Sequence, residues 1–115
     1  MNDLLKKKCV PCEGGALPLD KAEAEKYMHM VTLPAQAGGW ELSEDGKNIT
    51  KTFKFKDFIG AINFVNKISE IAESEGHHPD INVRYNKVKL ILSTHAIGGL
   101  SENDFILAAK INASK

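Results

Sequence analysis

Residues 49–76, ITKTFKFKDFIGAINFVNKISEIAESEG, change their hydrophobic period partway along, and that change decides the fold. Ile49, Phe53 and Phe55 share one parity while Thr50, Thr52, Lys54 and Lys56 share the other, which predicts a strand with one buried face. From Asp57 onward Phe58, Ala61, Ile62, Val65, Ile68, Ile71 and Ala72 recur at three- and four-residue spacing. This predicts a helix capped by Asp57 and stopped by Gly76.

Working outward, Trp40-Glu41-Leu42 precedes Glu44-Asp45-Gly46-Lys47, whose Asp-Gly pair favours a tight reversal into the strand that begins at Ile49. Downstream, Ile81, Val83 and Tyr85 alternate with polar residues, and after Asn86-Lys87 so do Val88, Leu90 and Leu92, predicting a second hairpin. Asp20-Lys21-Ala22-Glu23 carries a capping signal for a short first helix over Ala24 to Met30. Ser101-Glu102-Asn103-Asp104, a capping box with aspartate in place of glutamate, opens a last helix with Phe105, Ile106, Ala108, Ala109 and Ile111. The order is α-β-β-α-β-β-α. Hairpins segregated by helices predict an α+β fold, a four-stranded antiparallel sheet with three helices on one face, because parallel pairing would need a crossover between successive strands.

With 115 residues, 43% of them apolar, the chain closes one core, and we divide it into an extended arm over residues 1–18 and a single domain over 19–115. Fifteen basic and fifteen acidic side chains cancel, so no global field holds nucleic acid or an anionic membrane, and Lys51, Lys54 and Lys56 read as a solvated strand face. No apolar run approaches the roughly 20 residues of a membrane span, and the opening Met1 to Lys8 lacks a signal peptide's apolar stretch, which predicts a cytoplasmic protein. Cys9 and Cys12 have the spacing of half a zinc site, but no second pair accompanies them and the arm reads as unstructured. Gly14-Gly15, Gly38-Gly39 and Gly98-Gly99 fit no phosphate-loop pattern and read as turns.

Three of the four histidines, His77, His78 and His95, are where proton chemistry is to be expected, since imidazole alone titrates near neutral pH, at about 6.5 when unperturbed. His77 and His78 follow a helix C-terminus whose partial negative charge, with Glu73 and Glu75, favours imidazolium, and Pro79 forces His78 into extended backbone so that the two rings diverge. Pairing the last two strands as a hairpin places His95 beside them at one edge of the sheet. Three imidazoles can bind zinc with one position open, yet adjacent side chains diverge and no His-x-His or helical His-x-x-x-His spacing is present, so no metal is expected. His29, on the polar first helix, reads as exposed.

The spacing resembles that of the pterin-4a-carbinolamine dehydratases, also known as dimerisation cofactors of a homeodomain transcription factor. From Glu73, three residues lead to His77-His78-Pro79, five more to Tyr85, nine to His95 and eight to Asp104. Similarity extends through Phe53 to Phe58, Tyr85-Asn86-Lys87-Val88, Leu92-Ser93-Thr94-His95 and Gly99-Leu100-Ser101-Glu102, spanning roughly Asp20 to Ile111. The resemblance implies removal of water from a 4a-hydroxytetrahydropterin without metal or organic cofactor. It implies His77 and His95 as acid and base, His78 as a pterin-binding or second proton-transfer residue, and Glu73 and Asp104 as groups that orient or charge the imidazoles. Trp40 would supply an aromatic wall for the flat pterin. It also implies a homodimer joined through sheet edges or a homotetramer joined through helices. The rival reading is a non-catalytic interaction protein acting as a transcriptional cofactor.

Overall fold

The computed structural model describes residues 18–32 and 40–114, so the expectations for the arm over residues 1–17, Cys9 and Cys12 among them, and for Gly38-Gly39 lie outside the described residues. The element order is α1 (Lys21–Thr32), β1 (Glu41–Leu42), β2 (Ile49–Lys54), α2 (Phe58–Glu75), β3 (Asp80–Arg84), β4 (Lys87–Leu92), a single 3-10 turn (His95–Ile97) and α3 (Glu102–Ser114). The four strands form one antiparallel sheet in the order β1-β2-β4-β3. The expected α-β-β-α-β-β-α arrangement with three helices on one face is the fold observed.

Local chemistry sets the boundaries. Asp20 and Glu23 cap α1 reciprocally: the Glu23 amide donates to Asp20 Oδ1 at 2.8 Å and the Asp20 amide to Glu23 Oε1 at 3.1 Å. Asp57 accepts the Gly60 amide at 2.8 Å to begin α2. At its far end Gly76 takes a left-handed conformation (φ 66°), its N–H reaching Glu73 O while the His77 N–H reaches Ala72 O. These two bonds are the paired closure of a Schellman motif, which locks the backbone of His77 to the helix.

The register Ile49↔Leu92 and Phe53↔Val88 puts Ile49, Phe53, Val88, Leu90 and Leu92 on one face, all buried under the helices. α3 is buried around its whole circumference from Asn103 to Ala109, and it packs between α1 and α2. Tyr27 stacks on Phe105 with centroids 5.1 Å apart and donates its hydroxyl to Glu102. On the other side Lys110 pairs with Glu75 at 3.6 Å. Gly99 permits the close approach of the segment leading into α1, since a Cβ there would lie 2.7 Å from Pro18 Cβ.

Four expectations change. The second hairpin turns at Tyr85-Asn86, not Asn86-Lys87: Lys87 already pairs with Arg84, and Tyr85 carries a positive φ of 54° and is exposed. Asn86 explains the shift, because its side-chain amide donates to Phe55 O and its own carbonyl accepts the Phe55 amide, fixing it inside the turn. β2 ends at Lys54, since Phe55 leaves the ladder to make these contacts. Lys51 shares the parity of Ile49 and Phe53, so it points toward the helices, where its ammonium lies over the Phe53 ring and donates to Asn112 Oδ1. Finally, β4 ends at Leu92, which leaves His95 in the 3-10 turn beyond the strand.

Candidate active site

His77 and Asp104 form the centre of the site. The His77 ring, 12% exposed, places Nε2 2.6 Å from Oδ1 of the fully buried Asp104. Asp104 stands in the first turn of α3, where its second oxygen accepts the Ser101 amide at 3.0 Å, while Ser101 Oγ accepts the Asn103 amide at 3.2 Å. The residue read as a helix cap and the residue expected to orient an imidazole are thus one carboxylate performing both tasks on different oxygens.

The proton positions follow from the donor inventory. An ionised carboxylate only accepts, so Nε2 of His77 and Oγ1 of Thr94, the latter 2.8 Å from Asp104 Oδ2, must both donate to it. With its hydrogen so used, Thr94 Oγ1 accepts from Ser101 Oγ at 2.8 Å, and Ser101 in turn accepts from Asn103. The result is a directed chain of hydrogen bonds ending on Asp104. With Asp104 ionised, this arrangement favours the Nε2–H form of His77 and leaves Nδ1 outside the chain.

His95 is the residue after Thr94. The Thr94 amide donates to Gly99 O at 2.8 Å, its carbonyl accepts the Ile97 amide at 3.2 Å, and Gly98 closes the turn in a left-handed conformation (φ 69°) with its N–H on His95 O. The His95 side chain is exposed. β3 and β4 pair as far as Asp80↔Ile91, and continuing that register by three residues brings His77 level with Thr94. His77 and Thr94 meet through the Asp104 carboxylate, while the His95 ring makes no described contact with His77 or His78. His78, next in sequence, places Nε2 2.9 Å from Glu73 Oε1, both side chains being largely exposed at 61% and 82%. Such a pair is screened by water and orients a ring more than it stabilises the fold.

The other candidates are placed elsewhere. Trp40 is 2% exposed, edge-on to Phe53 with its indole N–H on Asn112 Oδ1 at 3.0 Å, so its rings are core and not an open wall. Glu75 pairs with Lys110. His29 lines a cleft with Lys21, Glu25 and Glu44 near β1, at the sheet edge opposite β3. Among the described residues no group of three His, Cys, Asp or Glu side chains is arranged to hold a metal ion, and no helix is long and apolar enough to cross a membrane.

Thr94 and Ser101 were not among the expected site residues. The signal was present for Thr94: it continues the even, core-facing parity of Val88, Leu90 and Leu92, and a hydroxyl at such a position must find buried partners.

Comparison with known proteins gives one consistent answer. The family described as pterin 4 alpha carbinolamine dehydratase matches residues 17–114. A protein of Halorhodospira halophila named as a pterin-4-alpha-carbinolamine dehydratase is 47% identical over 110 residues, covering 96% of this chain and 95% of its own. One of Rickettsia canadensis with the same name is 45% identical over 113 residues, covering 98% of each. Among solved structures, a transcriptional coactivator/pterin dehydratase from Brucella melitensis superposes with a TM-score of 0.72 at 33% identity, covering 84% of this chain and 96% of that one.

Proposed function

Because the chain belongs to the pterin 4 alpha carbinolamine dehydratase family, we propose that it removes water from a 4a-hydroxytetrahydropterin by histidine general acid and base catalysis. In this reading the C4a–oxygen bond breaks as an imidazolium protonates the departing hydroxyl. The N5–H proton passes to a neutral imidazole, and the C4a=N5 double bond of the quinonoid dihydropterin forms. Protons and electrons balance, so the reaction needs no redox partner.

The observation that carries the reading is the 2.6 Å contact between His77 and the buried Asp104. A carboxylate fixed on Nε2 both selects the tautomer and stabilises the imidazolium when Nδ1 takes a proton. His77 and His95 are assigned as the acid–base pair. His78, tethered to Glu73 and more exposed, is assigned to the pterin or to a second proton transfer. The two directions of attack on the ring allow the acid and base roles to exchange. A freshly generated carbinolamine followed with purified protein tests the proposal. Turnover above the spontaneous dehydration is expected, and a rate equal to it rejects the reading.

We further infer that the chain works as a homodimer or homotetramer. β3 is an edge strand with one row of backbone groups outside the ladder, and Ile81 on it is 37% exposed. Such an edge favours pairing with an equivalent strand.

A further inference from the structure

We propose that Thr94 is the positioning residue of this site, a single hydroxyl that sets His77 and His95 relative to one another. The inference rests on the assignment of those two histidines as the proton-transfer pair. Its physical content, that their geometry has one common anchor, can be measured without turnover.

Thr94 is 4% exposed, and every polar atom it carries is engaged. Its backbone forms the bridge to Gly99 and accepts the Ile97 amide, which fixes the turn carrying His95. Its side chain donates to Asp104 Oδ2, and the other oxygen of that carboxylate holds His77. Two segments far apart in sequence, the end of α2 and the turn after β4, are therefore tied through one residue. The hydroxyl also sets direction. Thr94 gives its hydrogen to Asp104 Oδ2, which leaves its oxygen to accept from Ser101 Oγ and helps hold the carboxylate in the plane in which Oδ1 meets the His77 ring. Without that bond Asp104 keeps only the Ser101 amide on Oδ2 and His77 on Oδ1, and its χ2 torsion, a broad one for a carboxylate, is less tightly fixed.

The test compares Thr94→Val, which keeps the branched shape and loses the hydroxyl, with Thr94→Ser, which keeps the hydroxyl. The readouts are the His77 Nε2–H resonance and ring tautomer by 15N NMR, followed by kcat, KM and the pH–rate profile. The valine variant should weaken or broaden the Nε2–H signal and lower kcat by about 10-fold with KM little changed. It should also displace the pH profile, and serine should restore all three. A structural role alone would lower the melting temperature without moving the tautomer signature. If the valine protein does not fold, Ser101→Ala, which removes the Oγ partner of Thr94 together with the acceptor of the Asn103 amide, should move the same signature in the same direction.

An unchanged His77 signature and pH profile in the folded variants overturn the proposal. If the signature follows the hydroxyl while even the unaltered protein fails to dehydrate a carbinolamine, the positioning role stands and the assignment of the reaction falls.

Discussion

Replacing Asp104 by asparagine changes little in size and one thing in chemistry. The carboxylate accepts three hydrogen bonds, from His77 at 2.6 Å, Thr94 at 2.8 Å and the Ser101 amide at 3.0 Å. An amide offers one acceptor oxygen and one donor NH2. The Ser101 N–H is fixed in the backbone and cannot turn, so the amide oxygen must face Ser101 and Thr94, leaving the NH2 against His77 Nε2. The ring must then surrender its Nε2 proton and carry it on Nδ1, the nitrogen assigned to proton exchange. Exchanging a hydrogen bond to a charged group for a neutral one costs about 1 kcal/mol. Loss of the negative charge from the first turn of α3 adds roughly 0.5 kcal/mol. A destabilisation of about 1.5 kcal/mol corresponds to a melting point lower by roughly 6–12 °C, so the variant should remain folded at assay temperature. Turnover should fall on the order of 100-fold or more, because the ring is in the wrong tautomer for either acid or base work. Carbinolamine dehydration and 15N spectra of the His77 ring measure both effects on one sample. Wild-type turnover together with an unchanged Nε2–H tautomer would refute the reasoning.

His77→Ala and His95→Ala should each lower kcat on the order of 100-fold, and near-normal rates in both would remove them from the mechanism. At the β1–β2 turn the Asp45 carboxyl is held below its usual 3.8, first by the Ser43 hydroxyl at 2.6 Å and then by the Lys47 amide. A depressed carboxyl supports the folded state above its unfolded value, and that support is lost as the pH falls through the folded one. Carboxyl 13C titration should accordingly show Ser43→Ala raising the Asp45 midpoint, and identical curves in the two proteins would refute this cause. Sedimentation at assay concentration should resolve dimers or tetramers, whereas a monomer throughout would exclude pairing through the β3 edge.

Much of this arrangement was readable in the chain because period and punctuation agreed. Asp57 and Gly76 bracket α2 where the spacing of Phe58 to Ala72 required, and the Ser101 to Asp104 capping signal opens α3. The pairing of β3 with β4 was likewise legible from the alternation on either side of Tyr85-Asn86. What escaped was set by partners distant in sequence. Trp40 becomes core because Asn112 of α3 is there to accept its N–H, and Asn112 also accepts from Lys51 on the buried face. Tyr85 enters a turn with positive φ because Asn86 is held by Phe55 of β2. Thr94 was visible only as a parity, since its meaning depends on a carboxylate ten residues later.

The enclosure of α3 has a consequence for how this site fails. Its residues from Asn103 to Ala109 are buried among neighbours, and core segments of that kind open at free energies that approach the cost of unfolding the whole domain. Asp104 belongs to that segment. The carboxylate is thereby backed by the core, and its grip on the imidazole should outlast local fluctuation at the surface pair of His78 and Glu73.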